Sequence, residues 1–163
     1  MAEISEEHME NPTFEVNLEL IDNYKFNVDF GEFGQLITDE PEPLGGSEGP
    51  NPSSLLAAAT ANCLAASLMF AIRKYKGDPG KVTARVTGHL ERIDGRLRVS
   101  RMDVELRLGN SAASMEKLDR VLAQFEDFCV VTQSVRSGIE VNVHVRDKDG
   151  TGLALPEGCE PEN

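Results

Sequence analysis

Asn51-Pro52-Ser53-Ser54-Leu55-Leu56-Ala57-Ala58-Ala59-Thr60-Ala61-Asn62-Cys63 reads as the opening of a long apolar helix, entered directly from a loop rich in proline and glycine. Asn51 can cap it. Pro52 suits a first turn, where the missing N–H is not needed. The pattern predicts a helix to about Lys76. Arg73, Lys74 and Lys76 complement the negative end of its dipole. Gly77 can stop it, and Pro79 prevents resumption. Leu55 to Ile72 is borderline in length for a membrane span. It is dominated by alanine and contains Thr60, Asn62, Cys63 and Ser67, so it reads as a buried helix that another helix can approach closely.

Working outward, Asp39 to Pro50 holds Pro41, Pro43, Gly45, Gly46, Gly49 and Pro50, which forbid regular structure. Before it, Phe14, Val16, Leu18 and Leu20 alternate with polar residues, as do Tyr24, Phe26, Val28 and Phe30. Period two predicts two half-buried strands, and Asp22-Asn23 between them makes a hairpin. Gln35 to Thr38 adds a short third strand. After the helix, alternation from Val82 to about Arg92 predicts a strand, and Asp94-Gly95 is a strong hairpin signal. On the return strand the apolar phase slips near Ser100-Arg101, which predicts a β-bulge. A second helix opens at Asn110 or Ser111, with Met115, Leu118, Leu122 and Phe125 at helical spacing. Ile139, Val141, Val143 and Val145 form a last strand. The order is βββ-α-ββ-α-β with strands in hairpins, which predicts an α+β fold with mostly antiparallel sheets. Residues 13–146 read as one domain, with 1–12 and 147–163 as flexible tails.

The chain has 163 residues and a formal net charge of −12. Such acidity argues against binding nucleic acid or an anionic membrane, since phosphate neutralisation needs a basic face. Met1 to Asn11 is acidic, without a basic start or an apolar stretch, so no signal peptide is expected and the cytoplasm is the expected compartment. In a reducing compartment paired cysteines are more often catalytic than structural.

There are three cysteines, Cys63, Cys129 and Cys159. The thiolate is the nucleophile, and an unassisted thiol with pKa near ~8.5 is mostly protonated at neutral pH. Cys63 lies about three turns into its helix, too far for the dipole at the helix start to help. Either Cys63 or Cys129 can be read as a small core residue, since free cysteine is among the most buried types. Together they gain a functional reading, because a second thiol can convert a sulfenic acid into a disulfide. Cys159 sits beside Glu160 in the tail and reads as incidental. His8 lies in the arm, His89 and His144 on polar strand phases, and no ligand spacing recurs, so neither a metal nor a cofactor is expected. Gly45-Gly46 lacks the Lys-Ser/Thr that a phosphate loop wants.

Asp39-Glu40-Pro41, Leu44-Gly45-Gly46, Gly49-Pro50-Asn51-Pro52, Leu55-Leu56-Ala57-Ala58 and Cys63 resemble the OsmC/Ohr family, named for osmotically inducible protein C and organic hydroperoxide resistance protein. Cys129 with Val131, followed by Ser137-Gly138-Ile139-Glu140-Val141, is similar to the family's second signature. The resemblance runs from about Phe14 to Val145. It implies an intertwined homodimer, with sheets wrapped around long central helices and active sites at the interface. It also implies a thiol-dependent peroxidase. Cys63 would attack an organic hydroperoxide and become a sulfenic acid, Cys129 would condense with it to a disulfide, and an external dithiol would reduce that.

The sequence departs from the family pattern at the groups that make the first thiol fast. The glutamate that follows the Asn-Pro pair in strongly active members is Ser53 here. The N-terminal arginine is missing, and Lys25 is the only Lys or Arg from Met1 to Asn51. The proline that often follows the second cysteine is Val130. Arg136, seven residues past Cys129, is a candidate replacement cation, with Lys25 beside it, and Glu48 is a candidate replacement carboxylate. Against these stand ordinary readings, a turn residue for Arg136 and a solvated loop carboxylate for Glu48. The departures keep a second reading open, in which the pocket binds a small apolar or thiol-containing ligand without turnover. A third reading is a redox sensor, for which the acidic faces offer no DNA-binding element.

Overall fold

The computed structural model describes residues 12–138 and the backbone at 145–146 and 152–153. Three antiparallel strands come first: β1 (Asn17–Asp22), β2 (Lys25–Asp29) and β3 (Gln35–Thr38), in the order β1-β2-β3. The first ladder starts at Asn17, so Phe14 and Val16 precede it. Asn23 takes the left-handed turn position, φ 48°.

The loop after β3 is organised by one carboxylate. Asp39 is buried and accepts from the N–H groups of Glu40 (2.8 Å), Gly46 (2.8 Å) and Glu48 (3.2 Å). Burial opposes its charge, and those three donors outweigh the burial and hold the carboxyl below its usual range. The glycines here answer to close backbone approach. A Cβ on Gly49 would lie 2.2 Å from the Ile37 carbonyl oxygen.

Helix α1 (Pro52–Lys74) starts as its sequence predicts, with the Asn51 side chain accepting from the Ser54 N–H at 3.0 Å. Its end differs in detail. Lys76, not Gly77, takes the left-handed position, φ 60°. The Gly77 N–H reaches the Ile72 carbonyl and the Lys76 N–H reaches Arg73, a Schellman closure. Thr60, Ala61, Leu64, Ser67, Leu68, Ala71 and Ile72 form its buried stripe at helical spacing. That stripe packs on the hairpin of β4 (Thr83–Ile93) and β5 (Arg96–Arg107) and on the chain that follows it. The hairpin turns at Asp94 and Gly95, φ 50° and 78°, the two positive values a tight hairpin turn needs. His89 pairs with Arg101 and Leu90 with Val99, so Ser100 is the extra residue of the expected bulge.

The expected second helix is broken. Ala112–Ser114 forms a single 3-10 turn, Lys117 is left-handed at φ 59°, and α2 covers only Leu118–Gln124 before a second 3-10 turn at Phe125–Phe128. Ser111 caps its own short turn through Ala113, and the Ser114 hydroxyl bonds the Ser111 carbonyl, so local bonds compete with a continuous helix. The apolar spacing still serves its purpose: Met115 and Val121 join Leu68, Ala71 and Ile72 in the core, with Leu118 and Phe125 packed against them.

A further helix, α3 (Val130–Ser137), follows in a segment to which the sequence pattern assigns no element, and Arg136 lies in it rather than in a turn. The strand expected at Ile139–Val145 lies outside the described residues apart from its last position. Val145–Arg146 (β6) pairs antiparallel with Gly152–Leu153 (β7), inside the stretch read as tail. His8, His144 and Cys159 also lie outside the described residues.

Candidate functional site

Helical spacing builds the site from α1. Cys63 and Ser67 are one turn apart and share a face. Across from them stands the start of α3, whose N-cap is Cys129. Its sulfur accepts from the Thr132 N–H at 3.4 Å and shares a 2.9 Å hydrogen bond with the Thr132 hydroxyl. An aromatic contact ties that turn to α1. Phe128, the residue before Cys129, meets Phe70 edge-on with ring centroids 6.0 Å apart, and the Lys74 ammonium lies 5.8 Å from the Phe128 centroid.

The two thiols, 66 residues apart in sequence (129 − 63 = 66), lie close enough for each to act on the other's titration. Both are free, Cys63 half-buried and Cys129 fully buried at 0% exposure. Their environments are not equal. Burial pushes the Cys63 thiol up, its neighbour Cys129 adds to the rise, and the N–H groups of Val131 and Thr132 offset only part of it. Burial works against the Cys129 thiolate too, but donation from Cys63, the Thr132 hydroxyl and N–H, and the Ser67 hydroxyl outweighs it and brings that thiol below its ordinary range. The sulfur sits at the positive end of a helix, where anionic charge is favoured, and as a thiolate it accepts from the Thr132 N–H and can accept from the Thr132 hydroxyl.

Ser67 and Thr132 were not singled out from sequence. Their signal was present, since each lies one turn beyond a cysteine, at i+4 and i+3.

Arg136 lies in the last turn of α3, about 9 Å along the axis from its first residue, and is paired with Glu126. It helps wall a cavity of about 480 Å³ shared by α1, β5 and the segment 125–136, with Leu64, Val104 and Phe125 among its apolar lining and Thr60 and Thr132 among its polar lining; neither cysteine lines it. Glu48 is held elsewhere. Its carboxylate accepts from the Lys25 ammonium at 3.0 and 3.1 Å, and that hydrogen bond, supported by the charge of Glu48, outweighs the opposing effect of burial and raises the Lys25 pKa. Glu48 precedes α1, whereas Cys63 lies about 16 Å along the helix axis. Within one chain the structure therefore brings Lys25 to Glu48 and brings Cys63 to Cys129, without joining the two pairs. Among the described residues, no three His, Cys, Asp or Glu side chains gather as a metal site.

A family model described as OsmC-like protein matches residues 45–144. No curated protein sequence matches the chain. Solved structures do. A protein from Psychrobacter arcticus 273-4, described as a putative osmotic stress induced and detoxification response protein, is 19% identical with a TM-score of 0.64, over 78% of this chain and 91% of that one. An OsmC like protein from Mycoplasma pneumoniae is 15% identical with a TM-score of 0.64, over 78% and 89%. The organic hydroperoxide resistance protein OhrB of Bacillus subtilis is 18% identical with a TM-score of 0.57, over 76% and 90%. At these identities the likeness is one of fold.

Proposed function

From the premise that this chain belongs to the OsmC-like family, we propose that it is a thiol-dependent peroxidase that reduces organic hydroperoxides as a cytoplasmic homodimer. The observation that carries the reading is the approach of Cys63 and Cys129 at the start of α3. The half-buried thiol is the one a substrate can meet, so Cys63 attacks the peroxide O–O bond, releases the alcohol and becomes a sulfenic acid. Cys129 then attacks that sulfur, water leaves, and the Cys63–Cys129 disulfide awaits an external dithiol. The apolar side of the neighbouring cavity suits an organic rather than an inorganic peroxide.

Stopped-flow mixing of the reduced protein with cumene hydroperoxide tests this. The expected result is rapid thiol loss that Cys63→Ser abolishes, with a Cys63–Cys129 linkage found by mass mapping after one equivalent. No Cys63-dependent consumption with any dithiol reductant would remove the peroxidase.

The same observations that slow a peroxidase favour a second reading. Ser53 stands at the usual glutamate position, no arginine precedes Asn51, and Glu48 already occupies Lys25. On that reading the cavity holds a small apolar or thiol-containing ligand without turnover. Native mass spectrometry showing a retained small molecule, with peroxide left unconsumed, would favour it.

A further inference from the structure

Resting on the peroxidase reading, we propose that Cys129 carries the resting thiolate of the pair and takes the proton of Cys63 as Cys63 attacks, with Ser67 and Thr132 as the positioning residues that hold the charge.

The asymmetry of the two sulfurs is the ground for it. Cys129 is the N-cap of an eight-residue helix, accepts from the Thr132 N–H (3.4 Å) and shares a hydrogen bond with the Thr132 hydroxyl (2.9 Å), and the nearby Ser67 hydroxyl and Cys63 thiol favour its charged form. Ser67 and Thr132 are both buried, so little of either side chain faces solvent. Hydrogen bonds to a charged acceptor are roughly twice as strong as neutral ones. Cys63 has no comparable set; its helpers are two backbone N–H groups at the same helix start. Burial is thus opposed at Cys129 by a hydroxyl and an N–H of one residue, and only in part at Cys63.

Cys129 is fully buried, so it does not meet the substrate first. Its charge instead makes it a base aimed at Cys63. The resting pair is Cys63–SH with Cys129–S⁻. As the Cys63 sulfur bonds to the distal oxygen of ROOH, its proton moves to Cys129. The O–O bond breaks and its electron pair leaves on RO⁻, which takes the proton from Cys129 and departs as ROH. The regenerated Cys129 thiolate attacks the sulfur of Cys63–SOH and expels hydroxide. The sum is dithiol monoanion plus ROOH giving disulfide, ROH and OH⁻. One proton travels from Cys63 to Cys129 to the alkoxide, and no arginine is needed, in a chain with none before Arg73.

The test reads the charge separately from turnover. In the reduced protein with Cys159→Ser, the ultraviolet thiolate band is titrated across neutral pH. One thiolate per chain is expected. It persists in Cys63→Ser and is lost in Cys129→Ser. Ser67→Ala and Thr132→Val each raise the midpoint by about one pH unit, Thr132→Ser restores it, and the pH profile of cumene hydroperoxide turnover moves with it. A band lost in Cys63→Ser and kept in Cys129→Ser would overturn the assignment, as would midpoints unmoved by both hydroxyl variants. A Cys129 thiolate found without peroxide turnover would uphold the placement of the charge and defeat both the peroxidase reading and the proton transfer.

Discussion

The Cys129 sulfur lies 2.9 Å from the Thr132 hydroxyl oxygen, inside the first turn of the helix that Cys129 itself caps. A cysteine thereby does the work that Ser, Thr, Asp or Asn usually does at a helix start. The cap and the proposed redox site share the Cys129 sulfur, so altering either alters both.

Thr132→Val keeps the shape of the buried side chain and removes the hydroxyl. The buried Cys129 sulfur then loses a hydrogen-bond partner, and the turn loses part of its cap. A loss of about 1–2 kcal/mol is expected, read as a lower urea midpoint with an unchanged m-value. An unchanged midpoint would show that the hydroxyl contributes nothing to the cap.

The opposite directions of the two thiols predict a stability maximum in pH. The Cys129 thiol is depressed in the folded state, so its contribution is present above the unfolded pKa and lost as pH falls through the folded value. The Cys63 thiol is raised, so its contribution is present below the unfolded pKa and lost as pH rises through the folded value. The reduced protein should gain stability towards the ordinary thiol range, about pH 8.5, and lose it beyond. Denaturant melts across that range should show the rise missing in Cys129→Ser and the fall missing in Cys63→Ser. A monotonic profile unaffected by both variants would contradict the two assignments.

Gly49 has no room for a side chain, since a Cβ there would sit 2.2 Å from the Ile37 carbonyl oxygen and 2.8 Å from its carbon. Backbone, unlike a flexible side chain, cannot yield cheaply. Gly49→Ala should cost on the order of 2 kcal/mol or more by moving the loop away from β3. Because Asn51 follows at once, the same shift should loosen the start of α1. Urea unfolding reads the first effect. Amide exchange at Ser54, whose N–H bonds the Asn51 side chain, reads the second.

How far these features were legible depends on whether one residue or several carried the signal. Asn51 and Pro52 announce the helix start by local chemistry, and Asp94-Gly95 announces the hairpin, so both were read correctly. The slip at Ser100 was visible because alternation is strict on either side of it. The segment after Asn110 was not legible. Its apolar spacing is helical, but Lys117 in the left-handed region breaks the chain, and nothing about a lysine signals that. Helix α3 was missed because it is short, with little more than Val131 and Val135 at helical spacing, and its cap is a cysteine. The meeting of Cys63 with Cys129 was an expectation carried by the family resemblance. The hydroxyls of Ser67 and Thr132 around them could emerge only from the packing of α1 on α3.

Among the described residues, the first sheet leaves an apolar face exposed. Leu18 and Leu20, on one face of β1, are 60% and 56% exposed, and Phe14 just before them is 92% exposed. This sheet makes no extensive contact with α1 of its own chain. Burying a leucine side chain stabilises by about 1.5–3 kcal/mol, so a second copy that covers this face would gain substantially. The family resemblance supplies the reason to expect a copy rather than another partner. Sedimentation velocity of the intact protein should give a dimer. Leu20→Glu places a charge on the face to be desolvated and should weaken association on the order of a hundredfold, while Leu20→Met leaves it nearly intact. If active sites form between subunits, peroxide turnover falls with the dimer fraction and recovers as protein concentration rises. A Leu20→Glu variant that stays dimeric at the same concentrations would put the contact on another face, and a monomeric parent protein would remove the dimer altogether.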